Sequence, residues 1–247
     1  MENNFSLLIH TCDHYEKFWP GMFYTLDFYW DYDSFPVYFA NEEKHISEMV
    51  YDHKGNDTKP NSKVKQILTG KTDKNGFSDR FIKAISEVDS KWIMYMQEDM
   101  WLRRSIDTKV LNELIQYAEE KNADSIKVHH KIFYYDSYIL EPTDDFIDGL
   151  RILKHSQGEN MLLSHNATIW RKDYILENQR CGEDPWTNEE AGSKRMSSKP
   201  HNHYLYNIHW YAQPGISDRG EFSQEGFVYG HIVNEMKNME INFNMRK

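Results

Sequence analysis

The apolar run Trp92-Ile93-Met94-Tyr95-Met96, uninterrupted and closed by Gln97-Glu98-Asp99, narrows the folds open to this chain more than any other feature. A short run with no polar alternation fits a strand buried on both faces, as in the middle of a parallel sheet. Before it, Gly76-Phe77-Ser78 opens a helical pattern at Phe81, Ile82, Ile85 and Val88; after it, residues 106–121 place Val110, Leu111, Leu114, Ile115 and Ala118 on one helical stripe. Helix, buried strand, helix is the grammar of an α/β fold. In open α/β sheets ligands bind beyond the carboxyl ends of the strands, so the acidic pair Glu98-Asp99 stands where a ligand is expected.

The flanking segments extend this pattern. Residues 5–11 read as a strand, Phe18, Met22, Leu26, Tyr29 and Trp30 recur at helical spacing, and residues 36–40 form a second strand ending at Asn41-Glu42-Glu43. Residues 53–60 read as a polar surface loop, and residues 125–128 as a further strand. Beyond them the chain becomes richer in His, Asn, Trp and Gly, with short strands expected at 161–170 and 204–210. The 247 residues suit one large domain, 1–247. Its aromatic fraction of 15% exceeds what a core alone calls for, and such rings also line sugar and base pockets.

Composition excludes more than it selects. A formal net charge of -10 counts against a surface that holds nucleic acid or anionic lipid by counterion release. The two cysteines, Cys12 and Cys181, make no disulfide framework and have no zinc-type spacing. The opening residues lack a basic, apolar leader, and no integral membrane segment is expected, so a cytoplasmic location is the simplest expectation. His129-His130, His201-Asn202-His203 and His209 lack the spacing of a zinc site and read as core or loop histidines.

Several groups suggest chemistry. Glu98 and Asp99 offer hard oxygen ligands to a divalent cation, leaving positions for phosphate oxygens, though an acidic capping turn would look the same. Ser78 and Arg80 stand at a helix start, where a hydroxyl and a guanidinium can meet a phosphate; capping is the plainer role for Ser78. In Asp184-Pro185-Trp186-Thr187-Asn188-Glu189-Glu190-Ala191-Gly192-Ser193, a carboxylate beside a Trp that shapes a sugar pocket can act as general base. Glu189 is the first choice and Glu190 the second; an acidic first helical turn is the alternative. The turn 217–221, with Arg219, is a candidate to close over a diphosphate, or a plain surface turn.

Taken in order, these segments resemble bacterial, phage and large-virus glycosyltransferases with the GT-A fold. The match runs through His10-Thr11-Cys12-Asp13-His14-Tyr15, Phe18-Trp19 and Tyr29-Trp30, then Gly76-Phe77-Ser78-Asp79-Arg80 and Gln97-Glu98-Asp99. It continues in Ile169-Trp170-Arg171-Lys172-Asp173 and in 184–193, and it fades after Arg195. The resemblance implies a Rossmann-like, mostly parallel sheet flanked by helices, with 1–104 holding the nucleotide sugar and 105–247 forming an irregular acceptor and catalytic half. It implies that Thr11, Asp13 and Tyr15 face the nucleotide, that Asp99 holds Mn2+ or Mg2+ and that Glu189 is the base; the residues themselves add Glu42, Ser78, Arg80, Glu98, Trp186 and Arg219 as candidate donor contacts and Glu190 as the second candidate base. Gln97 takes the first place of an Asp-x-Asp pattern, which is a departure from the family.

The activity implied is metal-dependent transfer from a nucleoside diphosphate sugar, a UDP-sugar first, to an acceptor hydroxyl with inversion, in surface glycan or polysaccharide synthesis. Residue usage suggestive of an AT-rich genome, viral or phage, adds a modified base of phage DNA as a second acceptor and a host cytoplasm as the setting. A non-catalytic sugar-nucleotide-binding module and a metal-dependent phosphodiesterase are the rivals from other classes.

Overall fold

The structure is a computed structural model that describes residues 4–53, 56–73, 76–129, 139–208, 210–211, 217–218 and 221–222. In chain order its main elements are β1 (Phe5–His10), a 3-10 turn (Asp13–Phe18), α1 (Trp19–Tyr29), β2 (Val37–Asn41), β3 (Tyr51–His53), β4 (Asn56–Thr58), β5 (Val64–Leu68), α2 (Phe77–Ser86) and β6 (Trp92–Gln97). They continue with α3 (Thr108–Glu120), β7 (Ser125–Lys127), β8 (Leu140–Ile147), β9 (Leu150–His155), β10 (Thr168–Arg171), α4 (Lys172–Glu177), α5 (Pro185–Ser197) and β11 (His203–Tyr206).

One nine-stranded sheet, ordered β5-β2-β1-β6-β10-β7-β11-β9-β8, forms the middle layer. β5, β2, β1 and β6 run parallel, and β10 enters antiparallel between β6 and β7. Alternation along the central strands sorts their side chains into two cores. Phe5, Leu7, Ile9, Val37, Phe39, Trp92, Met94 and Met96 pack with α1 and α3 on one face, while Leu8, Tyr38, Ala40, Ile93 and Tyr95 pack with α2, α4 and α5 on the other. Residues 92–96 are thus buried on both sides, as the apolar run requires, each large side chain contributing about 1.5–3 kcal/mol of burial. The Trp92 indole keeps its hydrogen bond, donating to Glu119 Oε1 at 2.8 Å.

The chain builds β1, β2 and β5 outward in one direction and then returns to lay β6 on the other side of β1. The strand order therefore reverses between β1 and β6, and the carboxyl ends there open a crevice. The register aligns His10 with Gln97 and with Ala40, which brings the segments after all three strands to one edge.

Three local expectations need correction. Residues 53–60 do not form a plain loop: β3 and β4 pair as a small antiparallel hairpin. The strand expected at 161–170 begins only at Thr168, because backbone groups of residues 161–165 bond to side chains rather than to a neighbouring strand. A long hairpin, β8–β9, went unread, and its Asp148-Gly149 turn has φ of 45° and 74° at the two positions, the backbone for which Asp-Gly is suited. Among the described residues no helix is long and apolar enough to cross a membrane.

Candidate active site

The crevice begins with the two strand ends. Thr11 is buried and accepts a hydrogen bond from the Trp19 indole at 3.1 Å, which fixes the exit from β1 against the start of α1. Glu98 is buried and Asp99 half-buried immediately after β6. Burial and the charge of Asp99 hold the Glu98 carboxyl well above the usual carboxylate range, with the Thr11 hydroxyl partly offsetting this. Tyr15, half-buried on the 3-10 turn, lies close enough to both carboxylates for their charge to raise its pKa, although burial is the larger cause.

Beside this pair lies a cleft of about 620 Å3 lined by Cys12, Asp13, His14, Glu42, Glu43, Lys44 and Lys71. Asp13 acts here as a brace. Its carboxylate accepts from Asn41 Nδ2 at 2.9 Å and from the Glu43 and Lys44 amides at 3.1 Å each. Its own amide donates to Glu42 Oε2 at 3.1 Å. The other oxygen of Glu42 faces Arg80 Nη1 at 3.4 Å, and Arg80 also reaches the Thr72 hydroxyl. Arg80 Nε is buried with no hydrogen-bond partner among the described residues. Lys44 and Lys71, cations at the ends of β2 and β5, were not singled out from sequence; the rule that ligands gather at strand ends could have found them.

Ser78 looks inward. Its hydroxyl accepts from the Glu183 amide at 2.9 Å, its amide donates to the Glu183 carbonyl at 3.1 Å, and Asp79 accepts from the Gly182 amide at 2.7 Å. These bonds fasten the first turn of α2 to the loop that leads into α5. Ser78→Ala therefore leaves the Glu183 amide without an acceptor and costs roughly 1–3 kcal/mol in a urea unfolding midpoint. It leaves nucleotide-induced stabilisation unchanged, whereas loss of that stabilisation in a chain of normal stability would return Ser78 to the ligand.

α5 starts where Asp184 caps the Trp186 and Thr187 amides at 3.0 Å each, with Pro185 in the first turn. Its residues 189, 192 and 193 lie one helical turn apart, so they share a face. Glu189 Oε1 accepts from the His165 amide at 2.5 Å, and Ser193 Oγ exchanges hydrogen bonds with the Leu163 amide and carbonyl at 3.0 Å. A Cβ on Gly192 would come within 2.3 Å of Leu163 Cδ2, so glycine is what allows α5 this close. The Glu-x-x-Gly-Ser spacing is thus one packing unit that docks α5 on 163–165 and holds the Glu189 carboxylate.

Burial raises the pKa of Glu189, partly opposed by the His165 amide and by Lys127. Burial raises the pKa of the Tyr95 hydroxyl and the charges of Glu98, Glu189 and Asp99 add to the rise, which puts the strand-end pair and the α5 carboxylate within electrostatic reach of one buried group. Glu190 is turned to solvent, paired with Lys194 at 2.6 Å. Trp186 is 78% exposed on the first turn of α5. Arg219 lies outside the described residues. The buried His10 and His165, both held neutral with pKa values lowered to about 3 chiefly by burial, pack with Phe77, Phe81 and Tyr95 behind the crevice. Among the described residues no three His, Cys, Asp or Glu side chains gather as a self-sufficient metal cage.

No family model and no curated protein matches the sequence. Among solved structures, S. aureus TarS 1-349 matches with a TM-score of 0.55 at 11% identity, over 98% of this chain and 67% of that one. The same fragment in complex with UDP gives 0.51 at 9% identity, over 98% and 66%. CMP:2-keto-3-deoxy-manno-octonic acid synthetase complexed with CTP gives 0.50 at 11% identity, over 95% and 99%. The chain thus spans about two thirds of the TarS fragment's length. At such identities the likeness shows the fold alone, a mixed α/β arrangement with a large central sheet flanked by helices, as the sequence led us to expect.

Proposed function

We propose that this chain is a metal-assisted glycosyltransferase that moves a sugar from a nucleoside diphosphate sugar, a UDP-sugar first, to an acceptor hydroxyl with inversion. The observation that carries the reading is the pair Glu98-Asp99 at the end of β6, where the strand order reverses, with the half-buried Glu189 carboxylate held by the His165 amide and within electrostatic reach of the same Tyr95 hydroxyl. The shared fold with TarS, one structure of which holds UDP, supports a uridine nucleotide in the crevice.

A divalent cation fits the residues present. Two adjacent carboxylates, one of them buried so that its charged form is disfavoured, are relieved by a positive ion. Among the described residues no complete cage is present, so the remaining ligands would come from the diphosphate and water, as is usual for Mg2+. Asp99 would hold the ion with Glu98 beside it, and the ion would neutralise charge on the departing diphosphate. Thr11 and Tyr15, at the same strand ends, border the donor. Asp13 and Glu42 act by shaping its cleft, while Lys44, Lys71 and Arg80 supply positive charge near it.

In the reaction, Glu189 takes the proton of the acceptor hydroxyl as its oxygen bonds to the anomeric carbon. The bond from that carbon to the diphosphate oxygen breaks on the opposite face, and its electron pair leaves with the nucleotide. One carboxylate and one in-line displacement invert the centre. Trp186, exposed on the first turn of the helix that carries Glu189, would offer an apolar plate to a sugar ring.

Nucleotide release from UDP-sugars, with Mn2+ or with chelator, tests this. Cation-dependent release above background supports transfer. Binding without turnover for any donor or acceptor points to a non-catalytic module, and cleavage of simple phosphodiesters points to the phosphodiesterase. A glycan acceptor is preferred to a DNA base, given the net charge of -10.

A further inference from the structure

Lys127 ends β7 with its side chain fully buried, an expensive place for an ammonium. Its Nζ donates to the Met161 carbonyl at 2.6 Å and to Ser164 Oγ at 3.0 Å. Those two residues bracket the segment whose next amide, from His165, holds Glu189 Oε1. The same segment is clamped from the other side by Ser193 on α5. Lys127 and Glu189 are thus joined through one short piece of backbone, and the lysine charge acts directly on the carboxylate as well.

We propose that Lys127 is a positioning residue for Glu189, fixing the 161–165 segment that holds its carboxylate and placing a buried cation within electrostatic reach of it. This rests on the reading of Glu189 as base. Sequence inspection gives no sign of it, since Lys127 closes a short strand whose neighbours do not identify a site. Among the described residues, the titratable groups that interact electrostatically with Lys127 are Glu189 on α5, Glu159 after β9, and the buried His155 on β9 and His203 on β11, whose pKa values burial lowers. Burial brings the Lys127 pKa down to about 7, with the two glutamates opposing the shift, and the lysine charge favours the ionised form of Glu189 against the burial that raises its pKa.

The sign follows. A nearby cation favours the ionised carboxylate, so removing it raises the pH at which Glu189 loses its proton. In Lys127→Met the acid limb of the kcat profile moves up by about one pH unit with donor KM unchanged, and Lys127→Arg moves it back. The infrared carboxyl band that Glu189→Gln deletes reports the same titration without any turnover. This separates the two readings: if transfer is absent the band still tests the lysine. If Lys127→Met does not fold, Ser164→Ala, which removes one Nζ anchor, shifts the band in the same direction by less. A Glu189 titration unchanged in whichever variant folds would overturn the proposal, as would a loss of rate with no displacement of the limb.

Discussion

Glu189→Gln lowers transfer turnover by about 10²–10⁴-fold while nucleotide affinity stays within twofold of the parent. The amide keeps the shape of the side chain and can still accept from the His165 amide, so α5 remains docked; what it loses is the ability to take a proton. Glu190→Gln, by contrast, removes one partner of an exposed pair with Lys194 and leaves turnover unchanged. Single-turnover rates of both variants, alongside nucleotide binding, decide the matter. Full activity in Glu189→Gln removes the base from this account and with it the argument for inversion.

Arg80→Met produces the largest loss of stability among the substitutions considered. Arg80 and Glu42 have side chains only 10% and 13% exposed and form one ion pair. The variant leaves the Glu42 carboxylate buried with the Asp13 amide as its remaining hydrogen-bond donor described here. Breaking such a pair costs on the order of 3–5 kcal/mol, less any water that reaches the carboxylate. Glu42→Gln added to Arg80→Met recovers much of the loss, because the stranded charge is gone, and a double-mutant cycle in urea measures the coupling. Independent, additive effects of the two substitutions would show that the pair carries no coupling. Nucleotide affinity also falls in Arg80→Met but is not recovered by the second change, since the guanidinium beside the cleft is still missing.

The legible parts of this molecule are those where one local rule meets no competitor. Residues 92–96 could only be a strand buried on both faces, and the strand-end rule then set Glu98 and Asp99 in the crevice. Spacing within 184–193 suggests a helix start, which the structure has, but which of Glu189 and Glu190 turns inward depends on the position of 163–165, a tertiary fact. That same contact explains the strand expected at 161–167 and not found: Lys127, Glu189 and Ser193 satisfy backbone groups that a strand would have paired. Asp13 and Ser78 suggested ligand contacts because short polar side chains at strand and helix ends serve both ligands and loops, and the bonds to Glu43, Lys44 and Glu183 show what they fasten. The β8–β9 hairpin had a readable sign, Asp148-Gly149, obscured by an irregular register between Pro142 and Phe146.

The most direct test of a metal-assisted uridine-nucleotide site at the end of β6 is a thermal shift with UDP, GDP, CDP and TDP, each with and without Mn2+, on the parent chain and on Asp99→Ala. A ligand at 100 times its Kd stabilises the folded state by about 2.7 kcal/mol, which in a chain of this size raises Tm by roughly 5–10 °C. The account predicts that rise for UDP with Mn2+, a much smaller one for UDP alone, and in Asp99→Ala only the small one, with or without Mn2+. No shift with any nucleotide, or a UDP shift that ignores Mn2+ and survives Asp99→Ala, would contradict it.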